Sequence, residues 1–130
     1  MATIFSKIAA GEIPCYKIAE TENCLAFLDV FPLVHGHVLV IPKKEIDYIF
    51  DVDDALLTEM HLLSKKVAKA IGKAIPCRRV GVAVIGLEVP HAHIHLVPMN
   101  TIGDINFSRE KMQPGAADLE SVAEKIRAAL

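Results

Sequence analysis

Apolar and polar positions change period several times along the chain, and each change marks an element. Ile4, Phe5 and Ile8 recur at helical spacing behind Thr3, a good capping residue, and Gly11 closes the segment. This predicts a short helix. From Tyr16 to Asp29 the pattern turns strand-like, with Ile18 in one arm and Leu25-Ala26-Phe27-Leu28 in the other. Thr21-Glu22-Asn23 supplies the turn, which sets Cys24 opposite Glu20. Pro32 and Gly36 bracket a bend before His37-Val38-Leu39-Val40-Ile41, a β-rich run closed by Pro42. Both faces of that run are apolar apart from His37, so it predicts an inner strand covered on two sides. His37 then shares a face with Leu39 and Ile41.

Behind Asp53 or Asp54 as cap, Leu56, Leu57, Met60, Leu63, Val67, Ala70 and Ile71 repeat at helical spacing, and Gly72 lies near the end. Two more strands follow, Val80 to Ile85 and His91 to Val97, separated by Gly86-Leu87-Glu88-Val89-Pro90. A last helix runs from about Asp118 to Ala129, with Leu119, Val122, Ala123 and Ile126 on one side. Short loops join consecutive strands. The expected class is α+β: an antiparallel β-sheet of about five strands, a long central helix and a C-terminal helix, in one domain over residues 1–130.

Composition narrows the function. The net charge of −2 leaves no broad electrostatic grip on nucleic acid. No stretch is long and apolar enough for a membrane span, and the first residues lack the pattern of a secretory leader. Cys15, Cys24 and Cys77 form no Cys-x-x-Cys and leave an odd one over, which fits reduced thiols in a cytoplasmic setting.

The chemistry concentrates in His91-Ala92-His93-Ile94-His95, which holds half of the six histidines. On a strand these three imidazoles share one face while Ala92, Ile94 and Leu96 point into a core. Burial of that apolar side fixes the register, because a slip of one residue drives the imidazoles inward. A tetrahedral metal site is hard to build from the row, since the outer Cα atoms of one straight strand stand roughly 13 Å apart. Phosphate chemistry suits it better. A neutral imidazole can attack phosphorus while a protonated neighbour donates to other atoms, with no metal or cofactor required.

Several segments together resemble the histidine triad (HIT) superfamily, and within it the branch of small nucleotide-binding phosphoramidase-type proteins. They are Ile4-Phe5-Ser6-Lys7-Ile8 with Gly11-Glu12-Ile13-Pro14; Leu25-Ala26-Phe27-Leu28-Asp29 with Pro32; Gly36-His37-Val38-Leu39-Val40-Ile41-Pro42-Lys43; and His91 to Val97. The resemblance implies a homodimer with a continuous sheet and a site for a purine nucleotide or nucleotidyl conjugate on each subunit. His93 matches the residue that attacks the α-phosphorus, and His95 the phosphate-contacting, proton-handling position. His91 supports the row, and His37 lies beside the nucleophile. Phe5, Ile8, Phe27 and Val30 match the base pocket, and Asp29 the carboxylate that binds the ribose hydroxyls.

The chain departs from that pattern before the triad. The family commonly places an Asn and then Gly-x-Ser/Thr there. Here Gly86 fits the glycine, Glu88 stands at the hydroxyl position, and no Asn occurs between Gly81 and Pro90. Three placements are open for Glu88: facing the leaving group, where it favours a cationic amine, pairing with a protonated histidine of the row, or pointing into solvent. Thr3 and Ser6 occupy places where zinc-binding relatives carry cysteines. The expected activity is hydrolysis of nucleoside 5′-phosphoramidates or related nucleotidyl conjugates through a nucleotidyl-histidine. The alternatives are a dinucleoside polyphosphate hydrolase or nucleotidyl transferase, and a nucleotide-binding module with little turnover.

Overall fold

In the computed structural model, which describes residues 2–130, five strands form one antiparallel sheet. The elements are α1 (Ile4–Ala9), β1 (Lys17–Glu20), β2 (Cys24–Leu28), β3 (Val38–Pro42), α2 (Asp54–Ala74), β4 (Arg79–Ala83), β5 (Ile94–Met99) and α3 (Ala116–Ala128), with short 3-10 turns before α2 and after β5. The strand order is β1-β2-β3-β5-β4. The α+β class expected from the hydrophobic pattern is therefore the class observed. No helix among the described residues is long and apolar enough to cross a membrane.

The sheet is covered on both faces, and period-2 alternation decides which residue serves which layer. Ala26, Leu28, Val38, Val40, Ile94 and Leu96 pack against Met60, Leu63, Val67 and Ile71 of α2 and Leu119, Ala123 and Ile126 of α3. Leu25, Phe27, Leu39 and Ile41 turn the other way and gather under Phe5 of α1. Every residue of β3 is buried, as an inner strand requires. Asp53 caps α2 by accepting the amide of Leu56 at 2.8 Å. The helix continues past Gly72 and stops where Ile75, held extended ahead of Pro76, breaks it.

Some boundaries move. Thr21 and Cys24 close the hairpin turn through a 2.9 Å backbone bond, so Glu20 pairs with Leu25 rather than Cys24. All three cysteines are free. The last helix starts at Ala116, two residues early, because Gly115 adopts the extended conformation of a cap. The largest shift concerns the histidine segment. β5 begins only at Ile94, since Val40↔Ile94 is the last rung with β3 and Ala92 instead donates its amide to the Ile46 carbonyl at 2.7 Å. His95 alone of the three lies within the ladder, and His91 and His93 occupy the extended approach to it.

Candidate active site

His95 pairs with Leu39 across β3 and β5 and therefore sits on the α1 face of the sheet, opposite the α2–α3 layer. On that face a cavity of about 600 Å³ is lined by Phe5, Ile8, Phe27, Asp29, Val30, His37, Glu88, His93 and His95, among others. Most of the side chains singled out by sequence thus meet in one place. Two do not line this cavity. Gly86 borders a smaller adjoining one and takes φ +77°, a backbone conformation that glycine tolerates best. His91 is fully buried behind the row.

His91 ties the row to α1 and β3. Its Nε2–H donates to the Pro42 carbonyl at 2.8 Å, leaving Nδ1 to meet the Thr3 hydroxyl at 3.0 Å. Thr3 also caps α1 by accepting the Ser6 amide, and Glu45 Oε1 accepts from the Thr3 amide at 2.8 Å and the Ser6 hydroxyl at 2.6 Å. The helix that carries Phe5 is thereby pinned to the histidine segment, with the Phe5 ring 5.0 Å from that of His93.

Partner chemistry assigns the remaining protons. The His91 carbonyl can only accept, so His93 Nδ1, 2.7 Å away, carries hydrogen. In the neutral ring, Nε2 of His93 then keeps its lone pair. On the neighbouring side the Leu33 amide donates to His37 Nδ1 at 3.1 Å, which puts the His37 hydrogen on Nε2. That Nε2–H donates to His95 Nδ1 at 2.9 Å, so neutral His95 carries its hydrogen on Nε2. The two rings at the cavity thus differ in kind: His93 offers a lone pair and His95 offers a proton.

Burial holds these rings neutral. It pushes His37 down to about 3, reinforced by His95, and His95 down to about 4, reinforced by His93. His93 is lowered as well, chiefly by burial, against the favourable bond to the His91 carbonyl. Asp29 moves the other way, raised by burial, although its Oδ1 accepts the Phe31 amide at 2.9 Å. Oδ2 of Asp29 stands 3.8 Å from His37 Nε2.

One ligand atom each of Asp29, His37 and His95 lies within 4.8 Å of the others, close enough in space to share a cation. The proton pattern opposes that use. His37 accepts at Nδ1 and carries hydrogen on Nε2, so it has no lone pair to give without disrupting both bonds. The trio is built as a hydrogen-bond chain.

Glu88 meets neither histidine as a hydrogen-bond partner. Its Oε2 lies 3.0 Å from Lys111 Nζ, and the side chain is 71% exposed. Lys111 belongs to the loop between β5 and α3, which the hydrophobic pattern left without assignment. This loop folds back over the site: Phe107 packs edge-on against His95 at 4.6 Å, and the Met112 amide donates to the Pro32 carbonyl at 2.9 Å. Arg109 bonds the Leu33 and Gly103 carbonyls and so clamps the loop to the segment that orients His37. Phe107, Arg109 and Lys111 have no periodic signal. A cluster of an aromatic and two cations in an otherwise aperiodic stretch was the available hint.

An antiparallel α+β sheet presenting alternating histidines to a deep apolar cavity defines a histidine-triad fold. The chain belongs to the HIT family, residues 10–102 matching its HIT domain. It is similar to the adenosine 5′-monophosphoramidase of Schizosaccharomyces pombe, 40% identical over 99 residues that cover 75% of this chain and 74% of that protein. The adenosine 5′-monophosphoramidase of Saccharomyces cerevisiae is 38% identical over 98 residues, 75% of this chain and 62% of that longer protein. The crystal structure of a HIT-like protein from Bartonella henselae superposes with a TM-score of 0.87 at 32% identity, covering 98% of this chain and 96% of that one.

Proposed function

We propose that this protein hydrolyses nucleoside 5′-phosphoramidates, adenosine derivatives first, through a covalent nucleotidyl-His93. The observation that carries the reading is the opposed proton placement on His93 and His95 at one cavity wall. Two relatives named adenosine 5′-monophosphoramidase support the substrate class.

In this reading Phe5, Ile8, Phe27 and Val30 hold the base and Asp29 accepts from the ribose hydroxyls. His93 Nε2 attacks the α-phosphorus: a P–N bond forms to the ring while the P–N bond to the amine breaks, its electron pair leaving with nitrogen. The phosphate charge raises the proton affinity of His95, which enters the step protonated, gives one proton to the departing amine and returns to the neutral ring. Water then attacks the same phosphorus and gives a proton to the now neutral His95, the ring nitrogen of His93 leaves with its electron pair, and the nucleoside monophosphate is released. His37 orients His95, and His91 orients His93 through its carbonyl. No step calls on a metal or cofactor. The unpaired edge of β4, with Val82 56% exposed, supports a homodimer formed by joining two sheets. A reduced, cytoplasmic setting accords with three free thiols.

His93→Ala should abolish turnover of adenosine 5′-phosphoramidate, and acid-quenched wild-type protein should carry one nucleotidyl group on His93 by mass spectrometry. Turnover by the variant, or modification at another residue, refutes the assignment.

A further inference from the structure

A second cavity of about 280 Å³ adjoins the first. Glu88, His93, His95 and Phe107 line both, whereas Ile85, Gly86, Leu87 and Ser108 line the smaller one alone. A phosphorus atom in front of His93 therefore faces two compartments. The larger contains Asp29 and the floor of Phe5 and Phe27, which suit a nucleoside. The smaller offers Ile85 and Leu87, 44% and 89% exposed, and the ring of Phe107. Large apolar side chains left open beside a reacting centre mark a surface for binding.

We propose that the smaller cavity receives the group that leaves phosphorus, and that Ile85, Leu87 and Phe107 select amines with an apolar alkyl or aryl body. The inference rests on the hydrolase reading and adds its leaving-group class. Glu88 stands at the junction of the two compartments, where the leaving nitrogen is positive once His95 has protonated it and until the P–N bond breaks. Lys111, 3.0 Å from Glu88 Oε2, holds that carboxylate in place. The apolar body meets Ile85 and Leu87 while the nitrogen meets Glu88, so a long amine gains contacts that a short one cannot make.

The test compares kcat/KM for the N-methyl and N-hexyl amides of adenosine 5′-monophosphate, whose leaving amines have similar basicity. Each methylene buried against apolar surface is worth about fourfold. Partial enclosure of the chain then predicts a preference for the hexyl amide of about tenfold or more. In Leu87→Ser, and independently in Ile85→Thr, that ratio should fall severalfold toward one. Equal rates for the two amides in the wild type, or a ratio that persists in both variants, overturns the subsite. So does a Leu87→Ser protein that loses its dimer in sedimentation while keeping the ratio, because Leu87 then belongs to a contact between copies. Failure to hydrolyse either amide refutes the underlying hydrolase reading instead.

Discussion

Acidification should destabilise this protein well above the range where carboxylates titrate. His37 and His95 are buried as neutral rings with proton affinities lowered to about 3 and about 4 from an ordinary 6.5. A base lowered in the folded state binds fewer protons there than in the unfolded chain, so stability is full above pH 6.5 and is lost as pH falls below it. At pH 5.5 linkage gives a loss of about 3 kcal/mol for the two rings together, against almost nothing at pH 7.5. The histidines dominate this window. Glu20 and Glu59, lowered to about 2 by their hydrogen bonds, lose their contributions only below about 4.5. Asp29, raised by burial, offsets part of the loss.

Urea unfolding at pH 7.5 and 5.5 reads the difference as a midpoint shift of roughly 1–2 M. His37→Gln keeps an acceptor for the Leu33 amide and a donor for His95 but cannot titrate. It should remove about half of the pH dependence that His37 and His95 carry, with the lowered His93 adding a share that persists. A wild-type midpoint that stays flat between the two pH values would mean that the folded protein protonates these rings freely, and the neutral hydrogen-bond chain would be wrong.

Two further outcomes test the layers around the row. Asp29→Ala should raise KM for the ribonucleotide amide by about tenfold while changing the 2′,3′-dideoxy analogue much less, as expected for loss of charge-assisted bonds to hydroxyls; an equal loss on both substrates would deny Asp29 that role. Ile94 is fully buried between His93 and His95 on the α2–α3 side of the sheet, so Ile94→Ala should cost about 2–5 kcal/mol in urea unfolding. A cost under about 1 kcal/mol would mean that its pocket collapses freely.

Much of the architecture was legible from residue order. The apolar alternation of Val38 to Ile41 required a strand buried on two faces, and both clusters flanking β3 draw on that alternation. Leu56 to Ile71 required a helix with one core face, and α2 buries Met60, Leu63, Val67, Ala70 and Ile71. The histidine alternation was legible too, although the ladder holds only the last of the three. Its two earlier members are extended because Ala92 and His93 find partners outside the strand pairs, and such partners leave no trace in local pattern.

What residue order determined is periodicity: that His91, His93 and His95 share one face, and that His37 shares a face with Leu39 and Ile41. What folding alone decided is the proton each ring carries. That depends on the Leu33 amide, the His91 carbonyl and the burial of the row beneath α1 and the Phe107 loop. These partners come from segments far apart in the chain. A ring's tautomer answers to the neighbours within hydrogen-bond reach, and its proton affinity to the water excluded around it, neither of which is a property of spacing along the sequence.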